Sequence, residues 1–215
     1  MTNWLVRLIS VLAVALMTSP AALAIGDVAL ITALEGKVAR VTSAGPSPIE
    51  AFVKLKDGDR LTLSKDASVK LVYFGSGRQE TWRGEGNLLV QTVQSEATGL
   101  APADVKVLSS RVVRQIAKTP SLDSQGRAGV TRLRAVGTPD ALGKLEAEYD
   151  RMRIEGGGKD LNAEIFLLSG LFELRELDRV ENLVNDLASR QKGNMEAMVL
   201  VSLYRKALAE AKRRQ

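Results

Sequence analysis

Three spellings in this chain suggest reactive chemistry, and each fails on its neighbours. Ser189 and Lys192 stand at the spacing of a serine activated by a lysine, yet they close a surface helix pattern and no companion motif accompanies them. Gly156-Gly157-Gly158-Lys159 has the form of the end of a phosphate-cradling loop, but Arg153 occupies the place of the first glycine and Asp160 that of the magnesium-holding hydroxyl. A helix breaker is the better reading. Glu146, Glu148 and Asp150 are spaced by two, which on a helix points neighbouring carboxylates apart. The chain contains no histidine and no cysteine. That removes imidazole bases, thiol nucleophiles and the nitrogen and sulfur ligands of most metal sites. The expectation is a protein that is not an enzyme, with no catalytic, cofactor or metal site.

What remains are residues that bind. Tyr73 and Trp82 could present aromatic faces to a sugar ring, with packing in a core as the commoner role. Lys106, Arg111, Arg114, Lys118, Arg127, Arg132 and Arg134 face only Asp104 and Asp123 over the same stretch, so the basic excess is concentrated there. Such a stretch suits an anionic glycan, lipid headgroups or an acidic protein face; the alternative is a solvated connector. Arg111, Arg114, Lys118, Arg132 and Arg134, with Tyr73 and Trp82, form the candidate binding surface. Nucleic acid is not expected, because no aromatic residue lies among these charges to stack on a base.

The elements that must position these residues fall into two halves. From 25 to about 97, apolar runs are punctuated by turn formers every eight to twelve residues, the pattern of a β-sandwich. Ala67, Val69, Leu71 and Tyr73 share one face of a strand while Ser68 and Lys70 take the other; Leu61 and Leu63 repeat the pattern, with Arg60 and Thr62 outward. Val72 and Phe74 interrupt the polar face, which predicts that the strand end is covered on both sides. Asp57-Gly58 predicts a tight hairpin, and Ser43 to Pro48 reads as a break between strands.

From 138 to 215 the period changes to that of helices. A first helix follows Thr138-Pro139-Asp140, and a second, from about Asp160 to Arg175, is apolar nearly all round and therefore buried. A third starts at Asp178 with Glu181 as a capping-box partner, and a fourth starts near Asn194. Residues 98–137 read as a basic linker holding a short helix near 109–117 and a strand near 129–135. The fold class is thus α+β by segregated domains, an all-β sandwich-like domain followed by an all-α helical-hairpin domain.

Residues 1–24 carry Arg7, an apolar run from Leu8 to Met17, Pro20, and small residues ending at Ala24. That order predicts a secretory signal peptide cleaved between Ala24 and Ile25, leaving no stable transmembrane segment and placing the mature chain in a periplasm. An exported chain without cysteine relies on packed cores rather than disulfides.

Two resemblances refine this. Gly36-Lys37-Val38, the Leu55…Gly58-Asp59-Arg60-Leu61 turn and Ala67-Ser68-Val69-Lys70-Leu71 resemble the FecR-like domain, a β-rich module of bacterial cell-envelope proteins. In signalling members that domain relays receptor state to a sigma factor. With six residues before Arg7, no cytoplasmic part is expected here, so the resemblance implies an envelope interaction module. Asp160, Leu161, Ala163, Ile165 and Phe166 recur at an offset of 34 as Asn194, Met195, Ala197, Val199 and Leu200, and residues 163–194 resemble a degenerate tetratricopeptide repeat. Such repeats bind a peptide or partner helix on a concave face; a small four-helix bundle is the alternative. The function expected is a non-catalytic scaffold that engages an envelope protein. Its rivals are a peptidoglycan or glycan binder and a periplasmic signalling regulator related to FecR-type anti-sigma systems.

Overall fold

The computed structural model describes residues 26–101, 103–122, 128–129, 139–156 and 160–213. Among these residues ten strands precede the first helix: β1 (Asp27–Glu35), β2 (Val38–Thr42), β3 (Gly45–Pro48), β4 (Lys54–Lys56), β5 (Arg60–Leu63), β6 (Ser68–Tyr73), β7 (Arg78–Arg83), β8 (Gly86–Val90), β9 (Ser95–Thr98) and β10 (Asp104–Val107). They form two five-stranded antiparallel sheets, ordered β10-β7-β6-β1-β4 and β3-β2-β5-β8-β9. Helices α1 (Ser110–Ile116), α2 (Pro139–Gly156), α3 (Asn162–Glu173), α4 (Leu177–Arg190) and α5 (Met195–Arg213) follow, with a short pair, β11 (Ser121–Leu122) and β12 (Ala128–Gly129), between α1 and α2. An all-β region is therefore followed along the chain by an all-helical one.

The strand alternation places its apolar face as expected. Ala67, Val69, Leu71 and Tyr73 meet Leu61, Leu63, Leu88 and Val90 in the core between the sheets. Here the first of the sheets is the central layer, because its other face is covered by helices. Leu30 and Val72, one residue out of phase with the sandwich core, join Phe52, Val112, Ile116, Ile165, Phe166 and Tyr204 in a second core. Val72 thus marks a strand covered on both faces. Each large side chain taken out of water on that face contributes about 2 kcal/mol, enough to couple the sandwich to the helical layer.

Two connections differ from their sequence reading. Gly58 has the positive φ expected of it, +87°. The turn at Asp57-Gly58 nonetheless makes no hairpin, since β4 pairs with β1 in the central sheet and β5 with β2 and β8 in the outer one. Asp59 fixes this crossing by accepting from the Lys56 amide at 2.8 Å. Residues 45–48 form β3 despite Pro46 and Pro48, which is tolerated because β3 is an edge strand that need donate on one side only. Before β4, Phe52 turns the chain at φ +63° and buries its ring completely.

Residues 98–137, read as a linker, supply β10 to the edge of the central sheet and α1 to the helical layer. The helix expected near 109–117 is α1, capped by Ser109 Oγ. Most of the strand expected near 129–135 lies outside the described residues, as do the proposed leader and its cleavage site at Ala24 and Ile25. Helix α3 is buried at every position from Asn162 to Phe172, as its all-round apolar sequence requires. Helix α4 begins at Leu177, so Asp178 lies inside the first turn rather than at the cap; Glu181 is drawn away to Lys212 Nζ at 2.8 Å. Asn194 caps α5 by accepting from the Ala197 amide. No helix among the described residues is long and apolar enough to cross a membrane.

Candidate functional site: a polar cavity between sheet and helices

Strands β6 and β7 each send one row of side chains toward the second sheet and one toward the helices. The sandwich row includes Tyr73, Glu80 and Trp82. Glu80 is fully buried, and its carboxylate accepts from Arg78 Nε at 2.6 Å, Trp82 Nε1 at 2.9 Å and the Ser95 amide at 3.2 Å. Ser95 Oγ also bonds Tyr73 Oη at 2.7 Å, and burial raises the phenol well above its ordinary range. Tyr73 and Trp82 are therefore core residues tied to one network, and neither ring offers a face to a sugar. Glu80, which organises them, was not singled out in the sequence, because an acidic residue in a strand ordinarily reads as an exposed one.

The helix-facing row is different. Ser68 and Lys70, which alternation placed opposite the sandwich core, lie here with Gln79 and Thr81. Helix α3 covers them, and Asn162 Nδ2 donates to Gln79 Oε1 at 2.6 Å. Beside this contact lies a cavity of about 220 Å³ lined by Thr32, Ser68, Lys70, Thr81, Asp160 and Asn162, among others. Thr32 reaches it through a bulge: β1 shifts register against β6 between Ile31 and Ala33. Bulges recur where a strand re-aims a side chain at a site.

The N-terminal ends of α3 and α5 both open on the cavity, with Asp160, Asn162, Asn194 and Glu196 on its wall. Asp160 and Asn194, equivalent under the 34-residue offset, each accept from an amide of the helix they precede. Lys70 Nζ lies 3.7 Å from Asp160 Oδ2 and bridges the sheet to α3. Thr32 Oγ1 and Asn162 Oδ1 are buried without a hydrogen-bond partner among the described residues.

The basic candidates do not converge on this cavity. Arg111 and Arg114 are exposed on α1, while Lys118 Nζ is engaged by Glu173 Oε2 at 2.6 Å and so helps dock α1 on α3. Arg127, Arg132 and Arg134 lie outside the described residues. Ser189 is exposed and donates to the Asp186 carbonyl. Among the described residues no cluster of three acidic side chains gathers in a way that could hold a metal ion.

The outer helical face carries a second feature. Met195 and Met198 on α5 are 74% and 42% exposed, beside a shallow cleft lined by Met198, Val201, Ser202, Arg205, Lys206 and Ala209. No protein-family model matches the chain, and neither a curated protein nor a solved structure matches it significantly.

Proposed function

We propose that this chain is an exported, non-catalytic binding protein of the bacterial cell envelope, acting in the periplasm as a scaffold for a protein partner. The observation that carries this reading is the outer face of α5, where two methionines stand in water beside a cleft edged by Arg205 and Lys206. Exposed methionine is adaptable apolar surface, and two flanking cations favour a partner helix with apolar and acidic residues. The sandwich serves as the rigid support behind that face, since the helices share its core.

The FecR-like reading of the strands supports the envelope setting, and the tetratricopeptide-like reading of α3 to α5 supports protein recognition. Tyr73 and Trp82, the two rings a glycan reading would use, lie in the core.

The test is affinity capture from crosslinked envelopes with tagged protein and with Met198→Glu. Residue 198 sits on the surface, so this variant should fold normally while placing a carboxylate in the cleft. The reading expects one protein recovered by the parent and reduced at least about tenfold by Met198→Glu. Equal recovery by both forms would overturn it. So would turnover of any substrate by the purified protein.

A further inference from the structure

Among the described residues four strands end the two five-stranded sheets, and three of them are blunted against a further strand. Pro46 and Pro48 remove donors from β3, β9 already gives its Ser95 amide to Glu80, and β4 is three residues long with a lysine at each end. Strand β10 is different. Every residue from Asp104 to Val107 is exposed, with Val105 at 39% and Val107 at 72%. Valines standing in water on an open sheet edge are an arrangement that monomeric proteins avoid.

The register shows which backbone groups of β10 are spare. The Leu108 amide donates to the Gly77 carbonyl at 2.9 Å, and β10 keeps that register with Lys106 opposite Gln79 and Asp104 opposite Thr81. In an antiparallel pair every second residue bonds the same neighbour, so Asp104 and Lys106 bond β7. The N–H and C=O groups of Val105 and Val107 point the other way, outward from the sheet, and no described residue bonds them. The side chains divide too: Val105 and Val107 stand opposite Glu80 and Arg78 on the sandwich side, and Asp104 and Lys106 take the helix side. Neither Asp104 nor Lys106 has an ion-pair partner among the described residues.

An edge of this kind is completed by one more strand, and its charges select which. When two copies of β10 run antiparallel about a two-fold axis through Val105, Asp104 of each copy lies opposite Lys106 of the other. Val105 then meets Val105, and Val107 meets Ala103. An axis through Asp104 or Lys106 would oppose like charges, and one through Val107 would separate Asp104 from Lys106. An axis between two residues would set a spare backbone group against one already bonded to β7. Strand β4 has no such register, since centring it on Leu55 faces Lys54 with Lys56. We propose that β10 pairs with β10 of a second copy of this chain, joining the two central sheets into one continuous sheet. This edge is separate from the α5 face, so either proposal can fail without the other.

The test is sedimentation equilibrium of the purified protein over a concentration series, for the parent, Val105→Pro, Asp104→Lys, Lys106→Asp and an equimolar mixture of the last two. The parent should show a monomer–dimer equilibrium with a Kd of about 10 μM, as suits a small contact. Val105→Pro removes a donor that β7 does not use, so far-ultraviolet dichroism should be unchanged while dimerisation weakens at least about tenfold. Asp104→Lys and Lys106→Asp each oppose like charges twice across the axis and should stay monomeric alone. Mixed, one copy presents two carboxylates to the two ammonium groups of the other, and the dimer should return. Met198→Glu should dimerise as the parent does. A parent that is monomeric at millimolar concentration would overturn the proposal and leave the edge to a strand of a different protein. So would dimerisation unchanged in Val105→Pro or in either charge variant, a mixture that fails to associate, or loss of the dimer in Met198→Glu.

Discussion

On the sandwich side of the central sheet, Glu80 receives Arg78, Trp82 and the Ser95 amide, and Tyr73 completes the group through Ser95. Across the same sheet, Gln79, Asn162 and Asp160 link up while Thr32 Oγ1 and Asn162 Oδ1 go without. Both clusters are buried, and both lie against β7. The first has a partner for each donor aimed at it, which is how a buried polar group fixes a core. The second stops short beside an open space. Buried polarity thus differs across one sheet: pairing is complete around Glu80 and incomplete on the helical side, near a cavity lined by charges of both signs.

Three substitutions probe this difference, beginning with the one that removes its frame. Phe52→Ala empties a fully buried position in the core shared by sheet and helices. It should cost about 3–5 kcal/mol. Urea unfolding followed by far-ultraviolet dichroism and by tryptophan fluorescence should show both halves shifting together; two separated transitions would show that the faces are not coupled. Glu80→Ala leaves the Trp82 indole and the Ser95 amide without their acceptor, a loss of about 3 kcal/mol measurable in the same titration. A loss below about 1 kcal/mol would mean that this cluster does not fix the core. Thr32→Val, on the opposite face, should be neutral or stabilising by about 1 kcal/mol, because it removes a hydroxyl that has no partner. A clear destabilisation would place that hydroxyl in the structural network and erase the contrast.

The alternation of β6 made the sandwich core legible, since Ala67 to Tyr73 and Leu61 with Leu63 needed only period two to be assigned. The same period made the cavity illegible. Ser68 and Lys70 are polar, and polarity on a strand reads as solvent; only the arrival of α3 from far along the chain turns that face inward. Gly58 showed a turn but not which sheet the next strand would enter, because the glycine sets local backbone angles while the pairing partners, β1 and β2, lie at a distance. Prolines 46 and 48 concealed an edge strand for the same reason: edge position is a property of the sheet. The 34-residue offset, by contrast, located both Asp160 and Asn194, the two helix starts that meet at the cavity.

The double covering of the central sheet also dictates an order of events when the chain is made with its first residues leading. The strands can close their inner core as soon as β9 and β10 emerge. Leu30, Phe52 and Val72 then have only the short α1, through Val112 and Ile116, as cover until α3 arrives from beyond residue 160. For that interval the nascent sandwich is a sticky client, suited to a holding chaperone and prone to self-association, and the helical layer is the chain's own delayed cover for it.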